Sequence, residues 1–143
     1  MNELQDLVGR KVNKIFLNST YLKFVTDKGD LVYGVDGDCC SVSYFYDFYG
    51  VKNLLENGIV KEIKTVELDP TDLKIKNKND FDSISVYGYQ ITTESKDYGD
   101  VTSVFSFRNS SNGYYGGSIE KVSDREVLPE VTDDVIKVKS ENE

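Results

Sequence analysis

The sequence predicts a β-rich α+β domain: an antiparallel curved sheet or partly closed barrel with one short helix at about residues 51–57. Three observations lead there. The chain of 143 residues carries ten Tyr and seven Phe but only two Pro, and aromatic and β-branched side chains suit a pleated, half-buried surface. Apolar residues recur two apart in several short runs, which is the period of a strand. Turns rich in Gly, Asp and Asn separate those runs. The length suits one domain with a core of its own, and the aromatic content argues against disorder.

Taken in order, Met1 to Leu7 reads as a lead-in. Val12, Ile15, Phe16 and Leu17 suggest a strand over Lys11–Asn18. In Tyr21–Thr26, Leu22, Phe24 and Thr26 share one side. Asp27-Lys28-Gly29-Asp30 is a hairpin turn, with Gly free to take positive φ. Leu31–Val35 is its partner strand, with Leu31, Tyr33 and Val35 on a common face. Cys40, Val42 and Tyr44 begin the next strand, which Asp47 is expected to stop and then cap the following helix. Val51, Leu54 and Leu55 fall at i, i+3 and i+4, so a short helix runs from Val51 to Asn57. Gly58 stands where a left-handed terminator belongs.

Ile59–Leu68 returns to strand. Leu73–Asp82 is polar and reads as a loop. Ser83–Thr93 and Val101–Phe107 form a second hairpin around a turn over Glu94–Asp100. The stretch from Arg108 to Gly117 is the second unusual one, and Asn112-Gly113 within it is a strong tight-turn signal because both residues tolerate positive φ. Ser118–Val122 is a last strand. Residues 1–122 therefore make one domain. Residues 123–143 form an acidic tail, partly ordered at most, in which seven carboxylates face three basic residues. Val127-Leu128 and Val131 to Val138 keep enough apolar content for part of the tail to dock as an edge strand or helix.

Charge and composition narrow the chemistry. The formal net charge of −8 opposes direct nucleic-acid binding, which needs Lys and Arg against phosphate, and disfavours anionic membrane surfaces. Met1 to Arg10 lacks an apolar signal core, and no run approaches membrane-spanning length. The two cysteines are adjacent, where a mutual disulfide would be strained. Reduced thiols and a cytoplasmic location are expected.

The chain has no His, which removes the commonest general base and metal ligand. Cys39 and Cys40 lack an activating cation, and Asp36 and Asp38 beside them would raise a thiol pKa. Asp36, Asp38 and Asp47 do not have the spacing of a calcium loop. Gly116-Gly117-Ser118 matches neither phosphate-binding fingerprint. The expectation is a protein that is not an enzyme and holds no cofactor or metal.

Recognition remains. Tyr44–Tyr49 and Tyr114-Tyr115 are dense in tyrosine, which offers broad contact area and a polar tip. Tyr44 and Phe45 are expected in the core. For Tyr114 and Tyr115, contact and core are equally open readings. A purely architectural role for both motifs stands beside any binding role.

Asp38-Cys39-Cys40, the Asp47…Gly50…Leu54-Leu55…Gly58-Ile59 segment and Ser111-Asn112-Gly113-Tyr114-Tyr115 together resemble a family of small proteins of unknown function encoded largely by bacteriophages and prophages. The resemblance runs from Leu7 to Val122. It departs at Ser41, where the family commonly carries an acidic residue. It implies a viral accessory protein acting in a bacterial cytoplasm. The leading expectation is a non-enzymatic inhibitor of host antiviral defence, engaging a host protein through an acidic surface. Alternatives are a small-ligand-binding sponge or a phage structural or assembly accessory. Asp38, Cys39, Ser111, Asn112, Tyr114 and Tyr115 are the candidate ligand- or partner-binding residues.

Overall fold

The computed structural model describes residues 3–37, 42–67, 83–111 and 117–138. The strands are β1 (Val12–Leu17), β2 (Tyr21–Thr26), β3 (Gly29–Gly37), β4 (Val42–Tyr49), β5 (Val60–Glu67), β6 (Ser83–Ser95), β7 (Gly99–Ser111), β8 (Gly117–Val122) and β9 (Val135–Lys137). Among the described residues one helix, α1 (Val51–Glu56), follows β4, and a 3-10 turn spans Glu3–Leu7. The β-rich α+β class is as expected. The strands divide into two antiparallel sheets, ordered β1-β2-β3-β8 and β5-β6-β7-β4-β9, and no barrel closes among the described residues.

The two sheets share one apolar core. Leu22, Phe24, Leu31 and Tyr33 enter it from the first sheet, and Phe45, Phe48, Tyr89, Ile91, Phe105 and Phe107 from the second. Phe24 meets Phe48 edge-on at 6.5 Å between ring centroids, the arrangement that the ring quadrupole favours. Leu4 and Leu7 of the 3-10 turn are fully buried in the same core, so the expected lead-in is part of the packing.

Three β-bulges set the inward faces. Register shifts fall between Val12 and Lys14, between Phe45 and Asp47, and between Val60 and Glu62. Each lets two residues three apart point inward: Val12 with Ile15, Phe45 with Phe48, and Val60 with Ile63 are all buried. A regular strand would send such pairs to opposite faces, and the extra residue of a bulge restores the parity.

Two local expectations are corrected. Asp47 neither stops β4 nor caps α1; it lies inside the strand, buried and paired with Ser106. Gly58 is not the left-handed residue of the helix, because the chain leaves α1 through an extended Asn57. Gly50, ahead of the helix, takes φ +75° instead. There a Cβ would stand 2.7 Å from the Thr102 carbonyl oxygen.

The chain beyond β8 follows the sheet edges. Asp124 pairs with Lys23 at 3.0 Å, and the Arg125 guanidinium lies over the Tyr21 ring at 4.5 Å. Val127 and Val131 are buried. β9 then pairs with β4 over Asp47–Tyr49.

Candidate functional site

The strand ends that flank the two unusual motifs lie at one place. Gly37, the last residue of β3, pairs with Gly117, the first of β8. Val42, the first residue of β4, pairs with Ser110 near the end of β7. Ser83 opens β6 opposite Ser111. The connections 38–41 and 112–116 both cross from one sheet to the other, so these pairings put their anchoring ends side by side at one end of the molecule.

Of the six candidate residues, Ser111 closes β7. Asp38, Cys39, Asn112, Tyr114 and Tyr115 lie outside the described residues, as do Cys40 and the Asn112-Gly113 turn. The strand expected over Val101–Phe107 runs further: Arg108 to Ser111 continue β7, paired with β6 as far as Ser111 and with β4 as far as Ser110.

A polar row that sequence reasoning did not single out lies directly behind this end. The Ser43 hydroxyl donates to Asn109 Oδ1 at 3.0 Å, and Asn109 is fully buried. The buried Arg108 guanidinium carbon sits 3.1 Å from the Tyr46 ring centroid, a cation–π contact worth about 0.5–2 kcal/mol. One strand pair further along, the Ser106 hydroxyl donates to the Asp47 carboxylate.

Burial pushes the Asp47 carboxyl above its ordinary value, against the opposing pull of the Ser106 hydrogen bond and of the Arg108 and Lys137 charges. The signal for this row was available: Asp47 interrupts an aromatic run, and Ser106 and Arg108 alternate with Phe105 and Phe107. Two bulky aromatics that must face the core force the polar residues between them onto the other face.

Chemically, the row holds strands together. The proton of Ser106 is committed to Asp47, and the chain supplies no imidazole to withdraw it. Among the described residues no group of three or more His, Cys, Asp or Glu is placed to hold a metal ion. No helix there is long and apolar enough to cross a membrane.

A concave feature lies at the opposite end of the thirteen-residue β6. An open cleft of about 780 Å³ is lined by Glu56, Gly58, Ile59, Glu94 and Lys96, among others. Two of its lining lysines are engaged with the protein itself. Lys11 Nζ donates to the Asn57 carbonyl at 3.3 Å, and Lys61 pairs with Asp100 at 3.0 Å.

Fold and site define a two-sheet antiparallel β protein in which the strand ends flanking connections 38–41 and 112–116 lie together at one end. Residues 5–121 match the model of a domain of unknown function, DUF7448, and the chain belongs to that family. It is 34% identical over 119 residues to an uncharacterized protein of Acanthamoeba polyphaga mimivirus, covering 79% of this chain and 87% of the relative. No solved structure matches the chain significantly. A family of unknown function with a viral relative agrees with the broader part of the resemblance read from the motifs. The matched span contains the connections 38–41 and 112–116 and ends before the C-terminal segment that follows β8.

Proposed function

We propose that this protein is a non-enzymatic viral accessory protein that binds a host protein through the end of the molecule where the connections 38–41 and 112–116 are anchored. The observation that supports this reading is the pair of registers Gly37↔Gly117 and Val42↔Ser110. They bring together the strand ends that anchor two motifs distant in sequence, an arrangement that favours one shared contact surface over two independent turns. Asp38, Cys39, Ser111, Asn112, Tyr114 and Tyr115 supply the contacts. Tyrosines on a turn rich in Gly and Ser offer large, rigid contact area at low entropic cost. The net charge of −8 steers the protein toward a basic patch on its partner. The biological role is inhibition of a host antiviral defence, with the phage and prophage lineage suggested by the Asp-Cys-Cys and Ser-Asn-Gly-Tyr-Tyr signatures.

The test compares tagged wild type with a variant carrying Cys39→Ala, Asn112→Ala, Tyr114→Ala and Tyr115→Ala, both expressed in host cells. Quantitative mass spectrometry should find a host protein enriched by wild type and at least ten-fold depleted on the variant, with circular dichroism and thermal midpoint retained. The interaction should weaken between 50 and 500 mM NaCl as the charges are screened. An identical set of captured proteins for both forms would overturn the reading. Native mass spectrometry of the wild type adds a check on the small-ligand alternative, which requires a mass above that of the bare chain.

A further inference from the structure

The segment after β8 lies on two sheet edges at once. At the β1 edge, Leu17 N–H donates to the Pro129 carbonyl at 3.1 Å, and Val131 N–H donates to the Ile15 carbonyl at 2.7 Å. Glu130 bridges Phe16 between these bonds, and Asn18 Nδ2 donates to the Leu128 carbonyl at 3.1 Å. The chain then reaches the second sheet. Val135, Ile136 and Lys137 pair with Tyr49, Phe48 and Asp47, and Val138 N–H donates to the Tyr46 carbonyl at 2.6 Å. Between the two edges, the Asp134 carbonyl accepts from Val51 N–H and its carboxylate accepts from Lys52 N–H at 3.0 Å. Main-chain bonds and alternate apolar side chains are the means by which a sheet edge takes up an added strand.

The strap is held more lightly than the strands it covers. β9 makes three ladder pairs with β4, whereas seven of the eight residues of β4 pair with β7. Of the three residues of β9, Val135 and Lys137 are exposed and Ile136 alone packs against the core. The strap also lies beyond the family-matched residues 5–121, which contain both edges that it covers.

We infer that the edges of β1 and β4 form one strand-acceptor surface, filled in cis by residues 127–138, that accepts an extended protein segment in trans when the strap leaves. The chemistry of that segment follows from the present occupant. It is extended, with apolar residues at the positions of Val131, Ile136 and Val138 and an Asp or Asn at that of Asp134. Its backbone offers the carbonyl and N–H groups now supplied by Pro129 and Val131. A tethered strap has an effective concentration on the millimolar scale, so the surface is closed to weak competitors and yields to a partner that binds more tightly. The inference stands independently of the loop-end contact surface proposed above.

The probe is a fluorescent synthetic peptide of residues 126–138, titrated against the full chain. A strap-weakened variant, Val131→Asp with Ile136→Asp, should bind it at least ten-fold more tightly than wild type. The same peptide carrying both substitutions should not bind. Bound peptide should restore hydrogen-exchange protection to the Leu17 amide of the variant. Ile136→Asp alone, which frees only the β4 half, is the second variant in case the first fails to fold, and it too should exceed wild type. The loop variant Tyr114→Ala with Tyr115→Ala should leave peptide binding unchanged, which separates this surface from the other. Folded strap variants that bind the peptide no better than wild type would overturn the inference.

Discussion

Asp47 occupies a buried strand position that its charge opposes. Its carboxyl is held above the ordinary range because burial outweighs the Ser106 hydrogen bond and the Arg108 and Lys137 charges. A folded-state pKa above the unfolded one, about 3.9, means that the native state binds the proton more tightly. The stability that protonation supplies is full below about pH 4 and is lost as pH rises through the raised value. Asp47→Asn should remove this loss, since an amide oxygen can still accept from Ser106. Urea unfolding from pH 3.5 to 7.5 should therefore show the variant gaining on wild type as pH rises. A constant difference would contradict this.

Gly50 is the other decisive residue. With φ +75° and a carbonyl oxygen 2.7 Å from where a Cβ would stand, Gly50→Ala should cost about 2–3 kcal/mol or more. Gly99 has φ +76° but nothing within 4 Å, so Gly99→Ala should cost only about 1 kcal/mol. Thermal unfolding of the two variants side by side checks the contrast.

At the scale of elements, bulges and a borrowed cap account for what the sequence left hidden. Alternation located Tyr21–Thr26 and the inward face of Leu31 and Tyr33, because those strands are regular. It failed at Asp47, where a bulge after Phe45 shifts the parity and makes a buried carboxylate look like a strand end. The cap of α1 was illegible for a different reason. The helix takes it from Asp134, which is 82 residues away from Lys52 along the chain, and no local pattern encodes such a contact. Asp134→Ala should cost about 0.5–2 kcal/mol, the usual range for a lost N-terminal cap. Lys52→Ala should cost far less, because the bond uses the main-chain N–H of Lys52. Urea midpoints of the two variants should separate accordingly.

For the whole molecule, excess carboxylate governs the response to salt. A net charge of −8 repels itself in the compact state, and salt shortens the reach of that repulsion from about 10 Å at 0.1 M to about 3 Å at 1 M. Raising NaCl from 20 to 500 mM should lift the thermal midpoint; a gain of about 1 kcal/mol corresponds to roughly 3 °C for a chain of this size. An unchanged midpoint would mean that the exposed pairs Lys61–Asp100 and Lys121–Asp6 lose as much to screening as the repulsion does. The nearness of the strand ends that anchor the two motifs also belongs to this scale. Asp-Cys-Cys and Ser-Asn-Gly-Tyr-Tyr were visible as unusual strings, but which strand ends flank them together follows from the pairing within each sheet.

By itself the sequence determined the class of the protein, the positions of most strands, the helix after Gly50 and the lack of imidazole chemistry. Each of these follows from composition or from a period of a few residues. Only the tertiary structure decided that the strands part into two sheets, that Asp47 and Arg108 are buried within one of them, and that residues 127–138 bind two edges. Those outcomes depend on contacts between residues far apart in the chain, whose free energy appears only once the core has formed around them.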